Sequence, residues 1–275
     1  MICFPNAKIN LGLQVTGKRE DGYHDIETVF YPLKLADIIE VIPVPQTPGR
    51  YTFINTGEKI DVEPSGNLCI KSWNELSKIR KLPGVSIHLH KIIPSGAGFG
   101  GGSADAAFVL MAVNDLFDLQ ISVAELEVIA GRIGSDCPFF IRNKPVFATG
   151  RGNVFESAHI DLSGRKIIVV HPGIPISSKW AYNQIKPSKI ADSVKDIIKT
   201  DPVKWQGKLC NDFEPAVFRK YPVIERVKDR LLATGAFYAS MTGSGSAVFG
   251  LYDHEPDTGE MRKYFPQMFV WSGTM

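Results

Sequence analysis

A chain of 275 residues can hold one large or two modest domains, and its 44% hydrophobic and 22% charged residues are ordinary globular values. A formal net charge of +2 excludes a global field for nucleic acid or a membrane surface, while leaving room for a local anion pocket. The four cysteines, Cys3, Cys69, Cys137 and Cys210, are spaced too widely for a zinc site or a disulfide framework, and no apolar run approaches the roughly 20 residues that span a bilayer.

In chain order, the start lacks a basic region followed by an apolar stretch, so a cytoplasmic protein is expected. Ala7, Ile9, Leu11 and Leu13 alternate with Lys8, Asn10 and Gly12, the period of a half-buried strand. Asp21-Gly22 predicts a hairpin turn into the apolar-rich run at 26–31. Residues 38–44 and 51–54 read as strands, with Pro45, Pro48 and Gly49 marking the turn between them. A helix is predicted over 67–79 and a strand over 85–90, closed by Pro94. After a glycine-rich loop, Ala106, Val109, Leu110, Val113 and Phe117 lie on one helical stripe. Ser122 and Glu125 form a capping box for the next helix, whose stripe is Leu126, Ile129, Ala130 and Ile133 and whose terminator is Gly134. A strand at 166–170 leads to the Pro172-Gly173-Ile174-Pro175 turn, and mixed helical segments follow over 179–232. The last strong strand is read at 247–252. The change of character after 147–152 places a boundary near 155, giving domains 1–155 and 156–275.

The loop Pro94-Ser95-Gly96-Ala97-Gly98-Phe99-Gly100-Gly101-Gly102-Ser103-Ala104-Asp105-Ala106-Ala107 carries six glycines between a strand and a helix. Its backbone can approach a ligand closely, and the N–H groups of the helix start favour negative charge, so phosphate is the natural occupant. A flexible turn needs far fewer glycines. Gly96, Gly98 and Gly101 fit G-x-G-x-x-G, but a dinucleotide fold requires a strand after the helix, where this sequence starts a second helix. The P-loop pattern G-x-x-x-x-G-K-[ST] is absent, as are the H-R-D and D-F-G triplets of protein kinases.

Three segments, Pro5-Asn6-Ala7-Lys8-Ile9-Asn10-Leu11, the glycine loop and Met241-Thr242-Gly243-Ser244-Gly245-Ser246-Ala247, resemble the three motifs of the GHMP kinase superfamily. Asp21-Gly22-Tyr23-His24, Gly100-Gly101-Gly102-Ser103 and Gly134-Ser135-Asp136-Cys137-Pro138-Phe139-Phe140 resemble its branch acting on a cytidine-diphosphate-linked methylerythritol in non-mevalonate isoprenoid synthesis. The resemblance covers most of the chain, from Pro5 to about Tyr252. It implies an α+β, two-domain GHMP kinase fold, with an N-terminal domain like the second domain of ribosomal protein S5 and a C-terminal α/β sandwich, the site lying between them. It also implies transfer of the ATP γ-phosphoryl group to a tertiary hydroxyl, with Mg²⁺, by a monomer or homodimer that needs no nucleic acid or membrane.

Residue by residue, the resemblance makes Asp136 the base that accepts the hydroxyl proton and Lys8 its partner, and it gives ATP to Pro94 through Ala104. As plain structure, Lys8 would protect a strand edge and Asp136 would be an Asx-turn residue. Asn10 shares the strand face of Lys8. Tyr23 would stack on the cytosine and His24 hydrogen-bond it, with Tyr182 on the other face and Trp180 as its rival. Ser178, Thr242, Gly243 and Ser244 would line the substrate side. Ser103 is read as a helix N-cap, a Mg²⁺ ligand or both. Asp105 stands where some members carry asparagine, and its charge suits the site only if it faces away from phosphate or helps hold metal. His88 and His90 share a strand face and lack a third metal ligand at recognisable spacing.

Overall fold

The computed structural model describes residues 1–60, 66–185 and 192–275. In chain order the elements are β1 (Ile2–Cys3), β2 (Asn6–Lys18), β3 (His24–Ala36), β4 (Ile38–Val44), β5 (Tyr51–Gly57), α1 (Leu68–Ile79), β6 (Gly84–Lys91), α2 (Gly101–Leu116), α3 (Val123–Ile133) and α4 (Cys137–Arg142). There follow β7 (Val146–Thr149), β8 (Val154–Ser157), β9 (Lys166–His171), α5 (Ser178–Asn183), α6 (Val194–Ile197), a 3-10 turn (Pro202–Lys204), α7 (Glu214–Lys220), α8 (Pro222–Ala233), β10 (Tyr238–Met241), β11 (Val248–Tyr252), α9 (Thr258–Tyr264) and β12 (Phe269–Thr274). Among the described residues no helix is long and apolar enough to cross a membrane.

Packing divides the chain into two units that interleave in sequence. The first comprises residues 1–7, 35–95 and 100–144. Its sheet has the order β1-β4-β6-β5, with β4 antiparallel and β5 parallel to β6. The prolines and glycine between β4 and β5 therefore turn the chain without making a hairpin. Helices α1 to α4 complete this unit. Asn67 caps α1 by accepting from the Cys69 N–H at 2.9 Å. Ser122 and Glu125 form the expected capping box on α3. Gly134 ends α3 as expected, with an extended φ of −171°. Buried Ala104, Ala106, Ala107 and Ala112 make α2 slim, and the Ser72 hydroxyl of α1 donates to the Ala106 carbonyl at 2.8 Å. Helix α2 stops at Leu116, so Phe117 caps its C-terminus and is not the last member of its stripe.

The second unit comprises residues 8–34, 96–99 and 145–275, with sheets β2-β3-β7-β8 and β10-β11-β9-β12. Strand β9 lies between β11 and β12, and Ile167, Ile168, Val169 and Val170 are all buried, as a continuous apolar run predicts for a strand covered on both faces. The hairpin expected at Asp21-Gly22 joins β2 to β3, closed by the Arg19 N–H on the Tyr23 carbonyl at 2.9 Å. Strand β2 departs from its half-buried pattern, because Lys8 and Asn10 are as buried as Ile9 and Leu11. Its edge is paired as well: Leu13 exchanges backbone hydrogen bonds with Cys210 and Asp212, each at 2.9 Å. The segment expected to be helical over 179–232 resolves into α5, α6, the 3-10 turn, α7 and α8, while residues 186–191 lie outside the described residues. The strand at 247–252 is not the last, because β12 follows it and pairs with β9.

Candidate active site

Segments distant in sequence meet in the second unit. Residues 96–99 of the glycine loop run beside β2, where the Lys8 N–H donates to the Phe99 carbonyl at 2.9 Å. They also meet the loop before β11, where the Ala247 N–H donates to the Ala97 carbonyl at 3.1 Å. A Cβ on Gly98 would stand 2.2 Å from the Thr242 carbonyl oxygen, and Gly98 has φ +89°. Only glycine allows this approach.

Asn10 lies at the centre of a buried polar network. Its Oδ1 accepts from Lys8 Nζ at 2.6 Å, its Nδ2 donates to Thr28 Oγ1 at 3.0 Å, and its backbone N–H donates to Thr242 Oγ1 at 3.0 Å. The single Thr242 hydroxyl hydrogen has two acceptors at 3.3 Å, Asn10 Oδ1 and the Gly98 carbonyl. Thr28 passes the chain on to the Gly12 carbonyl at 2.5 Å. Lys8, 4% exposed, also stands 5.0 Å from the Phe30 ring centroid. Burial of an ammonium in such a network is expensive unless each donor is directed, so the arrangement holds Lys8 in one geometry.

On the other side of Thr242, Asn211 Nδ2 donates to the carbonyls of Met241 and Gly243 at 2.8 and 2.9 Å, shaping the Thr242-Gly243-Ser244 loop. Ser244 Oγ lies 2.9 Å from Ser178 Oγ at the start of α5. Four residues along, Tyr182 stacks on His24 with centroids 5.0 Å apart and planes 17° from parallel, and its edge meets Phe213 at 4.9 Å. A ring inserted between His24 and Tyr182 would need about 7 Å, so this pair is closed. Tyr23 is 58% exposed beneath the Arg151 guanidinium, 4.7 Å from its ring centroid. Trp180 packs instead against Tyr221 and carries Lys220 at 4.1 Å.

The remaining expected residues belong to the first unit. Pro94 and Ser95 end the approach from β6, while Gly100, Gly101, Gly102, Ser103 and Ala104 begin α2. Ser103 is not the N-cap: Gly100, at φ +71°, takes that place and starts the helix earlier. The Ser103 hydroxyl hydrogen-bonds the Cys137 thiol, and burial pushes that thiol up to about 12. Asp136 holds the N-cap position of α4 without a side-chain capping bond, and the Ser135 hydroxyl donates to its Oδ1 at 3.5 Å. Asp105 is 2% exposed and bonds Lys91 Nζ at 2.8 Å. Burial pushes its carboxyl up, against the opposing pull of Lys91. His88 Nε2 and His90 Nδ1 share the Thr56 hydroxyl at 2.9 and 3.0 Å. Among the described residues no three His, Cys, Asp or Glu side chains converge as a metal site.

Sequence reasoning missed Thr28 and Asn211. Thr28 had a detectable signal, a polar residue inside an apolar strand, whereas Asn211 becomes significant only when its carbonyl partners are seen.

The GHMP kinases N terminal domain matches residues 67–144, and the GHMP kinases C terminal domain matches 193–270. A 4-diphosphocytidyl-2-C-methyl-D-erythritol kinase of Parabacteroides distasonis is 48% identical over 100% of both chains. The chain belongs to the 4-diphosphocytidyl-2-C-methyl-D-erythritol kinase family of GHMP kinases. A kinase of the same name from Chlorobium phaeobacteroides is 40% identical over 96% of this chain and 93% of its own. A crystal structure of 4-(cytidine 5'-diphospho)-2C-methyl-D-erythritol kinase superposes with a TM-score of 0.82 at 31% identity, covering 100% of this chain and 98% of that one. The mevalonate kinase of Methanococcus jannaschii, at 15% identity and TM-score 0.74 over 100% and 98%, shares the fold. The GHMP kinase fold is thus an α+β fold with N- and C-terminal family domains in this chain.

Proposed function

We propose that the protein transfers the γ-phosphoryl group of ATP to the tertiary 2-hydroxyl of 4-diphosphocytidyl-2-C-methyl-D-erythritol, releasing ADP. The observation that carries this reading is the network in which Lys8 and Asn10, residues 96–99 and Thr242 are joined in one unit, because the three family motifs supply its members. The full-length similarity to kinases of that name supports the choice of substrate.

In this reading residues 94–104 cradle the ATP phosphates through backbone N–H groups and the positive end of α2. The bond between the γ-phosphorus and the β,γ-bridging oxygen breaks, and one forms to the substrate hydroxyl oxygen. Asp136 takes the hydroxyl proton and Lys8 supplies positive charge for the reaction. An alkyl hydroxyl is weakly acidic, so positioning contributes more than proton removal. Mg²⁺ bound with ATP would neutralise phosphate charge, and Ser103 is the residue of this chain that would hold it. Tyr23, His24 and Tyr182 take the cytosine, after His24 and Tyr182 part, and Asn10, Ser178, Thr242, Gly243 and Ser244 take the rest of the substrate. The division at residue 155 fits this reading, since it falls between the two family matches.

The test is ADP formation with the cytidylated substrate, with homoserine and with mevalonate. Turnover confined to the cytidylated compound supports the proposal, and turnover confined to either other acceptor defeats it.

A further inference from the structure

Val85, Ile87 and Leu89 of β6 point inward and are buried, and the next residue of that phase is Lys91. Its ammonium is buried too, at 3% exposure, and donates to Asp37 Oδ2 at 2.5 Å and to Asp105 Oδ2 at 2.8 Å. Asp37 is 0% exposed, and its other oxygen accepts the backbone N–H groups of Ile92 and Ile93 at 2.5 and 2.8 Å. These are the residues just before Pro94. Asp105 lies on the opposite stem of the glycine loop, within the first turns of α2. The helix start itself lies against the cluster, for a Cβ on Gly101 would stand 2.9 Å from Lys91 Nζ and 3.0 Å from Ile93 Cγ2. All of these residues belong to the first unit.

Three buried charges are a poor way to gain stability. Desolvation costs several kcal/mol per ion, and apolar side chains of similar volume often hold a core as firmly. What apolar contacts lack is direction. Charge-assisted hydrogen bonds fix donor and acceptor at one distance and angle, whereas dispersion contacts tolerate sliding. Here the directed bonds run from one stem of the loop, through Lys91, to the other.

We propose that Lys91, Asp37 and Asp105 form a buried clamp that sets the spacing of the two stems of the glycine-rich loop, making Lys91 and Asp105 positioning residues for the nucleotide. The proposal rests on the reading that this loop binds the ATP phosphates. A shift of about 1 Å in the stems then weakens contacts made by backbone N–H groups, which cannot reach further to compensate.

The test uses the full chain with the double substitution Lys91→Met and Asp105→Leu, which removes one charge of each sign and leaves Asp37 with its two backbone donors. The expected result is a folded protein whose KM for ATP rises about tenfold or more, while kcat and the KM for the acceptor stay within about threefold. Amide hydrogen exchange should quicken at residues 92–104 and not through the rest of the first unit. The single substitution Asp105→Asn, which keeps an acceptor for Lys91, should leave the KM for ATP within about threefold of wild type. An unchanged KM for ATP in the folded double variant, or quickened exchange spread over the whole unit, overturns the clamp. If the wild-type protein turns over no acceptor, the proposed function fails, and hydrogen exchange in the same variants still decides the clamp.

Discussion

Alanine at Gly98 tests the contact that joins the glycine loop to the loop before β11. The added Cβ would lie 2.2 Å from the Thr242 carbonyl oxygen, 1.2 Å inside the 3.4 Å at which ordinary contact begins. The neighbour is backbone, so no side chain can swing aside. Overpacking of this kind costs about 1–3 kcal/mol, and φ +89° adds about 1–2 kcal/mol for a residue with a Cβ, giving about 4 kcal/mol in all. Gly96 is the control: its φ is +68°, but nothing lies within 4 Å of the added carbon, so alanine there carries the backbone cost of about 1–2 kcal/mol alone. The difference of about 2 kcal/mol should separate the two melting temperatures by roughly 4–8 °C, with Gly98→Ala the lower, in paired thermal scans. Equal melting temperatures would refute the packing argument, because the clash is what distinguishes the two positions.

Further outcomes follow from the same structure. Asp136→Ala should lower turnover by about 10²–10⁴-fold while ATP affinity, measured by calorimetry, stays within about threefold; near-full activity would remove Asp136 from the chemistry. Asn10→Ala, which removes one acceptor of Lys8 Nζ and the donor to Thr28 Oγ1, should cost about 1–3 kcal/mol in denaturant unfolding. Tyr182→Ala should raise the KM for the cytidylated substrate at least tenfold, while Trp180→Ala, which removes a ring packed on Tyr221, should leave it unchanged. His171 is 7% exposed, and burial pushes it down to about 4 from 6.5. A depressed histidine contributes stability that is present above about pH 6.5 and lost as pH falls through 4. The fall from 6.5 to about 4 corresponds to about 3 kcal/mol, so His171→Gln should flatten stability between pH 7 and 4.

Local chemistry made much of this molecule readable from its sequence. The Asp21-Gly22 hairpin, the Ser122 capping box and the apolar alternation of β6 each depend on a few neighbouring residues, and the structure realises all three. What escaped depends on contacts remote in sequence. Strand β2 alternates as if half-exposed, but Lys8 and Asn10 meet Phe30, Thr28 and Thr242 and are buried. Ser103 has the chemistry of an N-cap, yet the left-handed turn at Gly100 starts α2 before it. Asp105 could not be interpreted without Lys91, a lysine on the inward phase of a strand, and that pattern was visible in the sequence. Spacing left Trp180 and Tyr182 as rivals, and it carried no sign that Tyr182 stacks on His24 while Trp180 packs on Tyr221. The parallel pairing of β5 with β6, and packing units that interleave along the chain, leave no mark in local periodicity.

The central claim is phosphoryl transfer to a tertiary hydroxyl, and ³¹P NMR of a reaction of the protein with ATP and 4-diphosphocytidyl-2-C-methyl-D-erythritol tests it most directly. A tertiary carbon bears no hydrogen, so the new phosphomonoester should give a resonance without coupling to a carbinol proton, growing in step with ADP. A monoester signal split by such a proton, or ADP formed with no new monoester, would contradict the account.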